Sequence, residues 1–126
     1  MRGVIGEVFL ANLGEPEEVT KAIGEQYLPN YENGNLPATD IGFILAVSGK
    51  IDELCSNILS RQESYSRQVI IENSYSALAR YIKEKGFSFD TIIDLVSYDL
   101  ELLFVEPKEA QEIAGEISKN LKERSE

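Results

Sequence analysis

Carboxylates are the side chains of this sequence that recur at spacings able to do chemistry. Asp90, Asp94, Ser97 and Glu101 follow one another at intervals of 4, 3 and 4 residues, and Glu109, Glu112 and Glu116 make a second row. Hard cations such as Mg²⁺ and Ca²⁺ take oxygen ligands, so either row has the right donors for one. The same intervals describe any solvated helix face, and no acidic loop with EF-hand spacing is present. The solvated face is the preferred reading, and no metal or other cofactor is expected.

Histidine is absent from the chain. That removes the commonest general base and the commonest transition-metal ligand together. The single cysteine, Cys55, falls among apolar residues and has no histidine to activate it, so it reads as a small buried hydrophobe. Serine is plentiful, but a Ser-His-Asp triad is impossible and no lysine has the apolar setting that would make it a base. Neither G-x-x-x-x-G-K-[ST] nor G-x-G-x-x-G occurs, so no glycine-rich phosphate cradle is expected. No catalytic residue is assigned, and the expectation is a protein that is not an enzyme.

Charge points the same way. Acidic residues number 22 against 12 basic, for a net charge of −10. A field of that sign repels phosphate backbones and anionic membrane surfaces and attracts a basic protein. The partner expected is therefore another protein with a basic surface, with no direct nucleic acid and no membrane, and a homodimer is a further option. A lone cysteine cannot close an internal disulfide, which suits a reducing cytoplasm. Residues 1–14 are apolar but short and interrupted by Glu7, so they are not read as a signal peptide. No run approaches the roughly 18 apolar residues of a membrane span.

The elements that must position these residues are helical. Hydrophobic residues make up 43% of 126 residues and charged ones 27%, as in a globular chain, and the length fits one domain spanning 1–126. The clearest helix covers 41–59, capped near Thr39 or Asp40. Phe43, Ile44, Val47, Ile51, Leu54, Cys55, Ile58 and Leu59 share its inner face, with Gly42, Ala46 and Gly49 behind. A second helix, 65–85, is stopped by Gly86 and carries Lys83 and Lys85 in its last turn. Its main apolar stripe is Ile71, Tyr75, Leu78 and Ile82.

Ser88 caps a third helix reaching about Phe104, with Phe87 and Ile92 in staple positions and Phe89, Ile92, Ile93, Val96, Leu100, Leu103 and Phe104 facing inward. Pro107 opens the last helix, with Ala110, Ile113, Ala114, Ile117 and Leu121 inward. Pro16 opens a similar one, with Val19, Ala22, Ile23 and Tyr27 inward, and Ile5, Val8, Phe9 and Leu13 fit a short helix or a strand before it. Residues 29–38 form the one substantial loop. The expected fold is all-α, an irregular antiparallel bundle of five or six helices. The alternative is α+β, with short strands near 4–10, 41–47 or 100–105.

Two features could make an interface. Ile70, Ala77 and Tyr81 form a second stripe on the helix 65–85, beside Arg80. Either that helix is central and buried on two sides, or the stripe is a partner surface of the tyrosine–arginine kind. Tyr98, Leu95 and Leu102 raise the same question on the next helix. The candidate partner-binding set is Ile70, Ala77, Arg80, Tyr81, Asp90, Asp94, Tyr98 and Glu101. The function expected is that of a non-catalytic acidic binding protein: an inhibitor, an immunity or antitoxin protein, or a small complex subunit. It would act by occluding a basic partner surface. The alternatives are a carboxylate-based metal-dependent hydrolase and a structural homo-oligomer.

Overall fold

The computed structural model describes residue 14 and residues 16–26, 28–29, 34–60 and 64–126. The helix or strand expected around 4–13 lies outside them. Five helices and no strand occur among the described residues: α1 (Glu17–Glu25), α2 (Asp40–Leu59), α3 (Tyr65–Lys85), α4 (Phe89–Leu102) and α5 (Pro107–Ser125). The all-α expectation is met. The strand alternative is excluded for 41–47, which is helix, and for 100–105, which is a helix end and a turn. No helix among the described residues is long and apolar enough to cross a membrane.

The chain divides into two compact units, Met1–Gly49 and Lys50–Glu126. The first holds α1 and the first half of α2. Pro16 (φ −53°) sets the start of α1, and Glu17 and Glu18 lie at its positive end. Thr20 and Ala22 are buried, whereas Val19, expected inward, is 43% exposed. Glu25, at the end of α1, reaches the start of α2. Its carboxylate accepts hydrogen bonds from the backbone N–H of Ala38 (2.6 Å) and Thr39 (3.0 Å) and from the Thr39 hydroxyl. Thr39 Oγ1 in turn accepts from the Gly42 N–H at 3.1 Å, which makes Thr39 the cap of α2.

This clasp leaves no room for a side chain in the first turn of α2. A Cβ on Gly42 would lie 2.5 Å from Glu25 Oε1, 2.8 Å from Glu25 Cβ and 2.8 Å from Thr39 Oγ1. Glycine is needed there for close approach. Of the expected back face, Gly42 and Ala46 are buried and Gly49 is exposed; of the expected inner face, Val47 is buried and Ile44 is 60% exposed.

In the second unit three of the expected core positions of α2, Ile51, Leu54 and Cys55, are buried, and Ile58 and Leu59 are half-buried. Ser64 caps α3, its hydroxyl accepting from the Arg67 N–H at 3.1 Å. The Arg67 guanidinium reaches back to α2, Nε donating to the Asn57 carbonyl (2.5 Å) and Nη2 to that of Ile58 (3.1 Å). A cation thus satisfies carbonyls left open at a helix C-terminus. Gly86 (φ 67°) closes α3 in the left-handed conformation, as its sequence position predicts.

α5 packs against both α3 and α4, burying Ile113, Ile117 and Leu121. At its far end Arg124 makes a two-pronged ion pair with Glu72 of α3 (2.6 and 2.7 Å), and its guanidinium carbon lies 4.8 Å from the centre of the Tyr75 ring.

Candidate functional site

α4 carries most of the acidic residues expected to bind a partner, so the site is built on it. Ser88 Oγ accepts from the Thr91 N–H at 3.2 Å and fixes the helix start. Ile92, Val96 and Leu100 are fully buried, which anchors one face. The helical period then turns Asp90, Asp94, Ser97, Tyr98, Glu101 and Leu102 to solvent, and all of them are exposed. Tyr98 is 61% exposed and Leu102 57%. The result is a tyrosine and a leucine set among carboxylates.

The helix ends earlier than its apolar pattern suggests. Leu103 and Phe104, expected on the inner face, lie past the last turn of α4, at 37% and 95% exposure. Pro107 is the cause at a distance, because the residue before a proline is driven out of the helical region and the chain must break beforehand. The break is a closed turn. The N–H groups of Leu103, Phe104 and Val105 donate to the carbonyls of Asp99 (3.0 Å), Glu101 (3.0 Å) and Leu100 (3.1 Å). Phe104 takes the left-handed position, φ 61°, which glycine normally fills.

Below this surface lies an acidic seam. Asp99 of α4 faces Asp52 and Cys55 of α2. Burial, the Asp52 charge and a hydrogen bond to Asp52 push the Asp99 carboxyl up to about 6, while Cys55 opposes the rise. Its Oδ2 is buried without a hydrogen-bond partner. Burial, then the charges of Asp99 and Asp52 and a hydrogen bond to Asp99, push the Cys55 thiol up to about 12. The thiolate needed for attack or metal binding is suppressed. Among the described residues no group of three or more acidic or cysteine side chains is arranged to hold a metal ion.

The remaining expected site residues separate by depth. Ala77 and Tyr81 are 3% and 0% exposed. They are core because α3 is buried on both of its apolar stripes, Tyr75 and Leu78 on one, Ala77 and Tyr81 on the other. Ile70 is 37% exposed near the start of α3. Arg80 is half-buried and bonds Glu84 (2.5 Å), one turn on. Asp90, Asp94, Tyr98 and Glu101 therefore share a surface, while Ala77 and Tyr81 do not reach it. Phe104, Asp99 and Glu25 were missed. Asp99 carries a readable signal: it stands seven residues after Ile92 and three after Val96, on the core side of α4.

Comparison with known proteins gives the family. Residues 1–68 match the family model of the glycyl-tRNA synthetase beta subunit. The chain is 33% identical over 128 residues to the glycine–tRNA ligase beta subunit of Desulforapulum autotrophicum, an alignment covering 98% of this chain and 18% of that one. The Persephonella marina beta subunit is 35% identical over 92 residues, covering 71% and 13%. That of Lawsonia intracellularis is 43% identical over 54 residues, covering 43% and 8%. No solved structure matches.

The chain thus falls among subunits of the aminoacyl-tRNA synthetases. It belongs to the glycyl-tRNA synthetase beta subunit family. It spans less than a fifth of the length of these curated relatives. The family corrects the expectations drawn from charge and missing histidine. A free-standing inhibitor, an immunity or antitoxin protein and a metal-dependent hydrolase are all set aside, and so is the description as non-enzymatic, since the family is that of a tRNA ligase subunit.

Proposed function

We propose that this chain supplies a helical docking segment of a glycine–tRNA ligase beta subunit, and that the chemistry of glycine attachment belongs to other parts of that enzyme. The outward face of α4 carries the reading. Tyr98 and Leu102 give apolar contact area there, and Asp90, Asp94 and Glu101 surround them with carboxylates. That composition suits a partner surface bearing lysine and arginine around an apolar centre. tRNA, the substrate in the relatives' name, carries the same sign of charge as this segment and would be held elsewhere. The cytoplasm is the compartment such a role requires.

The test is to mix the purified chain with the companion subunit of the same synthetase and follow assembly and glycine attachment to tRNA. The chain is expected to co-elute with the companion subunit and to attach no glycine alone. Tyr98→Arg together with Glu101→Arg is expected to abolish co-elution while the circular dichroism stays helical. Charging of tRNA by the chain alone, or failure to bind the companion subunit, overturns the proposal.

A further inference from the structure

Resting on that docking reading, we propose that Phe104 anchors the interface: the turn after α4 holds this ring out to enter an apolar pocket, rimmed by lysine or arginine, on the companion subunit of the synthetase. The ring is 95% exposed, so the fold gains no burial from it. Its backbone is nonetheless fixed, by three hydrogen bonds of 3.0, 3.0 and 3.1 Å from Leu103, Phe104 and Val105 back onto α4. A bulky residue at φ 61° is strained, and glycine would relieve the strain. The same unit closes α3 on a left-handed residue too, and there it uses Gly86. A rigid, strained, solvent-facing aromatic is the form a buried anchor takes before its partner arrives.

The surroundings select the occupant. Leu102 and Leu103 precede Phe104 in the chain and Tyr98 lies one turn before Leu102, and all three are exposed apolar or aromatic side chains. Glu101 and Glu106 are exposed nearby in the chain. A second copy of this chain meeting the patch symmetrically would set those carboxylates against themselves, in a molecule already at −10. A basic rim on a different chain removes that repulsion.

The experiment measures affinity of the purified chain for the purified companion subunit by calorimetry, at low and high salt, alongside thermal melting and light scattering. Phe104→Gly relieves the turn, so the variant is expected to melt at or above the wild-type temperature and to bind at least about tenfold more weakly. Phe104→Trp is expected to keep binding. Glu101→Lys with Glu106→Lys is expected to weaken binding and to flatten its salt dependence. Wild-type affinity in the glycine variant overturns the anchor while leaving the docking reading in place. Loss of self-association in that variant, with companion binding unchanged, points to a second copy and also overturns it. Absence of any binding by the wild-type chain overturns the docking reading and the anchor with it.

Discussion

At the scale of single residues, Asp99 makes this molecule respond to pH against the usual direction for a carboxylate. Its folded state favours the proton, up to about 6 from an ordinary 3.8, because burial and Asp52 penalise the charge. The folded protein therefore binds more protons than the unfolded chain between those two values. Stability contributed here is present at low pH and falls as pH rises toward 6. Each pKa unit is worth about 1.4 kcal/mol, but Asp99 is only half-buried and solvent screens the interaction, so about 1 kcal/mol is expected. Denaturant unfolding should show Asp99→Asn more stable than wild type at pH 7 by about that amount, with the difference closing toward pH 4. A variant less stable at pH 7 would show that the carboxylate is satisfied as a charge. Cys55, pushed up to about 12, should resist thiol reagents in the folded protein and react on unfolding.

At the scale of elements, the join between α1 and α2 depends on one carboxylate and one missing side chain. Burial raises the Glu25 carboxyl, but the Thr39 hydroxyl, the Ala38 and Thr39 amides and Lys21 outweigh it and hold it below its usual range. A lowered carboxylate contributes stability that is present above its unfolded pKa and is lost as pH falls through the folded one. Glu25→Ala should cost about 1 kcal/mol, the ordinary worth of a helix cap. Gly42→Ala should cost about 1–3 kcal/mol, because the new methyl meets the Glu25 side chain and the Thr39 hydroxyl. Adding Gly42→Ala to Glu25→Ala should then cost far less than it does alone, and equilibrium unfolding of the double mutant checks that coupling.

Much of this architecture was legible in the sequence because helix starts and stops are local. Ser88, Gly86, Pro16 and Pro107 mark their boundaries within a residue or two of where the chain turns. The inner face of α2 was legible from Val47 onward but not in its first turns. Ile44 outscores Gly42 on hydrophobicity, and only a carboxylate from α1 reverses the choice. Phe104 likewise fits the apolar period of α4, and the proline that ends the helix lies three residues beyond it. The family was invisible for a related reason. The family model matches residues 1–68, where no catalytic motif stands out, so elimination of chemistries pointed to a binding protein instead.

At the scale of the whole molecule, charge is the property that acts furthest. Many of the 22 acidic residues lie on helix faces, and a net −10 sets a field that reaches about 10 Å in 0.1 M salt. Such a field speeds the encounter with a basic surface and does little for the lifetime of the complex once apolar groups are in place. The two halves of the interface should therefore separate kinetically. Raising salt should slow association with the companion subunit by about tenfold or more and leave dissociation nearly unchanged. Phe104→Gly should do the reverse, hastening dissociation with little effect on association, since removing an uncharged ring leaves the field intact. Stopped-flow mixing with labelled companion subunit reads both rates. Equal sensitivity of the two rates to salt would place the carboxylates inside the contact and not at its rim, because only a buried ion pair governs how long the partners stay together.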